Sequence, residues 1–312
     1  MALEIKKQRI VGKIDNLQEK LNGELPINRL ELLYLINSWG RISSFDTNDN
    51  IKITKCKSKE CYDLSKLDTS EITDMSQLFQ WSEFNGDISN WDVSNVTNMN
   101  KMFYLAKEFN QALNNWDVSN VTNMDSVFCF SNFNGDISNW DVSNVTDMCG
   151  MFAYTTSFNQ VLNSWDVSNV TDMGFMFANA NNFNQALDNW DVSNVTNMYG
   201  MFLGAESFNQ ALDKWNVSKI TDMNGMFAYA KEFNQPLNNW DVSNIIGIRG
   251  MFQDAIAFET KFNNEIPLPS DTNDLKVWFK ENSDKMLAIK TLNNTERTSK
   301  ACSFYVVCKI KR

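Results

Sequence analysis

The carboxylates, amides and hydroxyls of this chain recur at fixed places in a repeating unit, so any chemistry they do is done in columns. One column is Asp68, Asp92, Asp117, Asp141, Asp166, Asp191 and Asp241, with Asn216 in the remaining place. Copies stacked about 4.8 Å apart would repel by roughly 1 to 3 kcal/mol at effective dielectrics of about 80 to 20. Two arrangements offset this. Each Asp can accept hydrogen bonds from its own turn, near Ser94 and Asn95 in one copy, or the oxygens can hold a ladder of divalent cations, calcium first. The first is the expected one, because the glycine signature of calcium-binding β-rolls is missing. No metal or cofactor is expected.

A second column, Asn85, Asn110, Asn134, Asn159, Asn184, Asn209 and Asn234, follows a Phe each time and suggests amides bonded to their copies above and below. A third, Thr73, Thr97, Thr122, Thr146, Thr171, Thr196 and Thr221, lacks the paired array of an ice-binding face and is expected to cap a helix in each unit. The NVT triplets at Asn95, Asn120, Asn144, Asn169 and Asn194 are a by-product of the repeat. Cys56 and Cys61 lie far from Cys302 and Cys308 along the array, so buried thiols are expected rather than a four-cysteine zinc site. The chain has no histidine, which removes the commonest general base and metal ligand. A polysaccharide-cleaving enzyme needs an irregular cluster of acids and bases. A regular acidic column is not one, and a non-enzymatic role is expected.

Recognition is better sought where the units differ. Two places after the Met-Phe pair, or its counterpart, stand Trp81, Leu105, Phe130, Tyr154, Asn179, Gly204, Tyr229 and Asp254. On a helical wheel this place flanks the buried stripe and is partly exposed, with Tyr104, Phe175 and Tyr199 on or near the same side. Exposed aromatics on a rigid surface are typical contact residues. Trp81, Tyr104, Phe130, Tyr154, Phe175, Tyr199 and Tyr229 are therefore the candidate partner-binding residues; packing against neighbouring loops is the alternative.

The unit that must position them begins at tryptophan: Trp91, Trp116, Trp140, Trp165, Trp190, Trp215 and Trp240, at intervals of 25 residues with one of 24. In the copy from Trp91, Trp91 and Val93 alternate as in a strand. Val96, Met99, Met102, Phe103 and Ala106 then recur at helical spacing. An α/β repeat solenoid is expected, with one short parallel strand and one short helix or turn per coil. Gly150, Gly200, Gly225 and Gly250 weaken the case for a regular helix. The units from Leu67 and Trp116 have 24 residues and both lose one place before the next Phe-Asn pair, which marks a tolerant corner.

Residues 1–44 read as a helical N-terminal cap. A first helix runs over residues 3–21, and a second follows Pro26, with Asn28 and Glu31 spaced as a capping box. Residues 45–66 read as a degenerate coil or linker, 67–264 as eight repeats, and 265–312 as a C-terminal cap with helices near Trp278 and over 284–292 and a final strand, ACSFYVVCKI. A repeat array needs such caps to cover its apolar end faces.

The 312 residues carry a formal charge of -10 and a pI near 4.7, which disfavours nucleic acid as a partner. Met1 is not followed by the pattern of a signal peptide, six cysteines are too few for a disulfide scaffold, and no apolar run is long enough for a membrane span. A cytoplasmic, reducing location is the expectation from composition.

The recurring WDVSNVTNM, MF, A and FNQ-L elements resemble the repeats of the BspA-like leucine-rich-repeat surface proteins, including many bacterial lipoproteins. The resemblance covers residues 67 to about 264. It implies a right-handed solenoid like that of leucine-rich repeats, and adhesion or binding of a protein or glycan partner through one lateral face. It also implies the cell surface as the alternative location. A structural spacer or self-associating coat component, without a discrete ligand, is the second functional expectation.

Overall fold

The computed structural model describes residues 16–37, 42–45, 51–53, 63–237 and 239–263. Each repeat up to the one from Trp215 uses its backbone in the same way. In the copy from Trp91, the N–H groups of Met99, Lys101, Phe103 and Leu105 donate to the carbonyls of Asn123, Asp125, Val127 and Cys129 in the next copy, at 2.8–3.0 Å. The intervening N–H groups of Met102, Tyr104 and Ala106 donate three residues back, to Met99, Lys101 and Phe103. Alternate donors thus serve the neighbouring repeat and the local turn, and the run is satisfied without a helix.

The turns 99–102 and 103–106 carry a positive φ at their third residue, 55° at Lys101 and 58° at Leu105, the sign that marks type II turns. The same two places are left-handed in the other repeats, for example Ser126 and Phe130, Gly200 and Gly204, and Gly225 and Tyr229. An L-residue α-helix does not hold two left-handed residues four apart. The expected helix is therefore replaced by linked turns, and the threonines cap no helix. Thr122 Oγ1 instead donates to the Thr97 carbonyl of the preceding repeat at 3.2 Å. The expected strand over Trp91 and Val93 is also absent. Among the described residues, parallel pairing is confined to single-residue bridges, one from Pro26 to Asp68 and a series that joins Asp74, Asn98, Asn123, Asp147, Asp172, Asn197, Asp222 and Gly247. The seven Asp and Asn residues of the series suit the place because each side chain accepts the N–H two residues on, as Asn98 does from Asn100 at 3.0 Å.

Between the turns the apolar side chains form one continuous core. The Met-Phe phenyl rings stack from repeat to repeat, with Phe152 to Phe177 and Phe177 to Phe202 both 5.6 Å apart. Each is faced by the Phe of its own Phe-Asn pair, Phe177 to Phe183 at 4.1 Å. The tryptophans form a parallel indole stack, and each N–H from Trp91 onward reaches a carbonyl one repeat back, as Trp190 Nε1 does to Leu162 O at 2.8 Å. The asparagine column bonds its copies by a different route from amide-to-amide contact: Asn159 Oδ1 accepts the Asn184 N–H and the Gln185 amide, both at 3.0 Å.

The two 24-residue repeats show what a deletion at their common corner needs. In full repeats the N–H of the Phe-Asn phenylalanine donates three residues back, as Phe158 does to Thr155 O. In the short ones a buried serine hydroxyl takes that N–H instead, Ser82 for Phe84 at 3.1 Å and Ser131 for Phe133 at 3.3 Å.

At the N-terminal end, α1 (Leu17–Leu21) precedes α2 (Arg29–Asn37). Asn28 Oδ1 accepts the N–H groups of Leu30 and Glu31, and Glu31 Oε2 accepts that of Asn28, the two halves of a capping box. Ile27, Leu32, Leu35 and Ile36 are buried against the first repeat, and the Arg29 guanidinium donates to the carbonyls of Asp74 and Ser76. Residues 42–45 (β1) and 51–53 (β2) pair antiparallel. This antiparallel pair stands where a helical cap was expected to end at 44 and a degenerate coil to begin. At the other end α3 (Ile256–Asn263) follows the last repeat, with Phe258 stacked on Phe252 at 4.0 Å. Residues 3–15 of the helix expected over 3–21, the four flanking cysteines and the whole 265–312 cap lie outside the described residues.

Candidate binding face

The turn geometry decides what faces outward. Left-handed residues direct their side chains away from the core, so the column of Trp81, Leu105, Phe130, Tyr154, Asn179, Gly204, Tyr229 and Asp254 lines one face together with the column of Phe175. Phe130, Tyr154, Phe175, Tyr199 and Tyr229 are 36–46% exposed; Trp81 and Tyr104 are half-buried. The candidate residues fall into groups. Tyr104 meets Phe130 edge-on at 6.0 Å, and Phe130 stacks on Tyr154 at 4.2 Å. Phe175 meets Tyr199 edge-on at 4.8 Å. Tyr229 stands apart, its hydroxyl accepting from Gln253 Nε2 at 2.9 Å, and Trp81 lies two repeats before Phe130 with Leu105 between.

Beneath the face, Cys129, Ala153 and Ala178 form a small apolar cluster with Tyr104 and Leu203 packed on it. Cys129 and Cys149 are unbridged, and burial pushes both thiols up to about 12. At neutral pH they are not thiolates and carry no nucleophilic chemistry.

An open cleft of about 410 Å³ lies on the same face between Tyr199 and Tyr229. Its floor is Gly200, Gly225, Gly250 and Ala228, and Leu203, Asn224, Arg249 and Gln253 complete the lining. The cleft exists because three successive repeats place glycine at the first left-handed position, where the other repeats carry Gln77, Lys101, Ser126 and Phe175 and a single isolated Gly150. Sequence reasoning missed it: those glycines read as helix breakers, although their run in consecutive repeats was the signal.

The acidic column stands elsewhere on the repeat and is engaged locally. Asp92 Oδ1 accepts the Ser94 N–H at 3.0 Å and its hydroxyl at 2.6 Å. Such bonds, the serine hydroxyl first and the N–H second, hold Asp92, Asp166 and Asp241 below the usual carboxylate range. A lowered folded pKa gives stability that is complete above the unfolded value, about 3.9, and is lost as pH falls through the folded one. Half-buried Asp147, raised by desolvation, has the opposite sign. Because the lowered carboxyls are the more numerous, urea denaturation midpoints are expected to fall below about pH 4. Asp166→Asn should flatten that fall and change neutral-pH stability little, since Asn216 already holds the same turn with Ser218. An unchanged pH profile in the variant would count against this account.

A family model described as "Mycoplasma protein of unknown function, DUF285" matches residues 47–160, 129–198 and 181–290. The chain belongs to the DUF285 family. The three matches overlap in tandem, as they do when a model spanning several units is laid along an array of near-identical ones, so the DUF285 signature here is the repeat itself. No curated protein matches the chain. Among the described residues of this DUF285 protein, no helix is long and apolar enough to cross a membrane.

Proposed function

We propose that the chain is a non-enzymatic binding scaffold whose repeats wind as a right-handed, leucine-rich-repeat-like solenoid of the BspA type. Its left-handed turn face recognises a protein or glycan partner. The constant register of the parallel bridges, each joining one repeat to the next, supports the winding. The observation that carries the function is the exposure of five aromatic side chains on turns whose backbone is tied to both neighbouring repeats. Such side chains lose little freedom on binding, which is what makes a rigid aromatic surface effective. Adhesion is the role this reading favours, by resemblance.

The test is affinity capture from the native cell or its surroundings, using full-length chain beside a variant with Trp81, Phe130, Tyr154 and Tyr229 all changed to Asn. Asparagine is the chosen replacement because it tolerates left-handed φ and Asn179 already stands in the column. With circular dichroism unchanged, the variant is expected to lose a captured partner by about 10-fold or more. Equal capture by both proteins would sink the face assignment. Capture by neither, with light scattering showing self-association, would support the spacer reading instead.

A further inference from the structure

We infer that the cleft between Tyr199 and Tyr229 binds a carboxylate-bearing sugar, such as a terminal hexuronic acid of a glycan. The inference rests on the reading of this face as a binding surface and names the ligand of one part of it.

The floor of the cleft is bare backbone. A Cβ added at Gly225 would meet only Ala228 Cβ, at 4.0 Å. Gly204, the residue before Tyr229 in its column, has no side chain to lay on the Tyr229 ring, whereas Phe130 and Tyr154 cover one another at 4.2 Å. One aromatic surface is thus left for a ligand. At Gly200 and Gly225 the backbone groups are already used: the Gly200 N–H donates to Asn224 O, the Gly225 N–H to Arg249 O, and their carbonyls accept from Leu203 and Ala228. An extended peptide laid across these two glycines would find their main-chain groups taken. Side chains must do the holding.

Those side chains are rich in donors and poor in acceptors. Asn224 Oδ1 is occupied by the Arg249 N–H at 2.7 Å, so the acceptor of this lining side chain is already used. The Tyr229 hydroxyl accepts from Gln253, which leaves its own proton to donate. No carboxylate is among the cleft-lining residues, although the chain as a whole carries -10. Lys214 pairs with Asp188 at 2.6 Å and Lys231 with Glu206 at 2.8 Å, whereas the cleft-lining Arg249 guanidinium pairs with no carboxylate among the described residues. A planar guanidinium matches a carboxylate in two parallel bonds. The remaining features suit a sugar ring: its flat C–H face packs on a tyrosine, and its hydroxyl oxygens accept from amide and phenol. The volume, about 410 Å³, falls in the range of small-ligand sites.

The experiment is calorimetric titration of the full chain with three probes: a disaccharide ending in glucuronic acid, the same disaccharide ending in glucose, and a short glutamate-rich peptide. The acidic disaccharide should bind at least tenfold more tightly than either other probe. Arg249→Gln should bring the two disaccharides within about twofold of each other, and Tyr229→Asn should weaken both. Equal binding of the two disaccharides by the wild type, preference for the peptide, or discrimination that survives Arg249→Gln would overturn the assignment. If no probe binds while a captured partner is still lost in the four-asparagine variant, the cleft assignment falls and the binding-face reading stands. Absence of both effects removes both.

Discussion

Trp190→Ala is expected to lower stability by about 3–5 kcal/mol, which makes it among the most damaging single changes in the chain. Trp190 is 3% exposed, and its indole lies parallel between those of Trp165 and Trp215 at 6.5 and 6.4 Å. Its N–H also satisfies the Leu162 carbonyl one repeat back at 2.8 Å. Truncation opens a cavity at two repeat junctions and removes one of two hydrogen bonds to the Leu162 carbonyl, which keeps the Trp165 N–H at 3.1 Å. Trp190→Phe refills most of the cavity without the donor and should cost about 0.5–1.5 kcal/mol, the net worth of one hydrogen bond. Urea denaturation followed by far-UV circular dichroism measures both. In a repeat array a weakened junction can also split the transition, so a second step in the Trp190→Ala curve is part of the expectation. A loss below about 1 kcal/mol would mean that the indole stack is not the core its burial indicates.

Gly200→Pro should be comparably severe through the backbone alone. Gly200 has φ 56°, and proline is held near -65°. The Gly200 N–H donates to Asn224 O in the next repeat at 2.9 Å, and proline has no N–H to give. The change removes a turn and an inter-repeat bond together, at about 3 kcal/mol or more. Hydrogen exchange should show the damage spreading to both neighbours, because the Phe175 N–H donates to Tyr199 O and the Gly225 N–H to Arg249 O on either side of the same turn. Protection unchanged in those neighbours would contradict the coupling of turn to junction.

The core was legible in the sequence and the backbone that builds it was not. Val96, Met99, Met102, Phe103, Ala106, Phe109 and Leu113 are all buried, as their spacing indicated. Steps of three and four residues signal a helix when they stand alone, but linked turns with three-residue hydrogen bonds produce the same steps. Gly150, Gly200, Gly225 and Gly250 recur at one place in four repeats and share a positive φ; they were evidence for a left-handed position rather than weak points of a helix. Trp91 and Val93 alternate and are buried without strand pairing, because the bridges fall on the polar residue at Asn98.

The exposure of Phe130, Tyr154 and Tyr229 was visible in the sequence through a helical wheel, yet its physical cause is the left-handed φ they share. The asparagine and aspartate columns were readable as hydrogen-bonding devices, though not the atoms involved: backbone N–H groups do most of the donating. The cleft could not be read from any single repeat. It depends on glycines in three successive repeats and on Gly204 beside Tyr229, a relation across the stack that exists only once the register is known.

The claim on which the rest stands is that two left-handed residues per repeat shape the outer face and hold its aromatics outward. Gly225→Ala tests it most directly, because the added methyl meets no atom closer than 4.0 Å and only the dihedral is at issue. At φ 61° alanine carries the left-handed penalty, and thermal unfolding is expected to show a loss of about 1–2 kcal/mol. In a helical turn the same change would stabilise by about 1 kcal/mol. A melting temperature raised by Gly225→Ala would contradict the turn geometry, and with it the placing of Tyr229 and the cleft beside it.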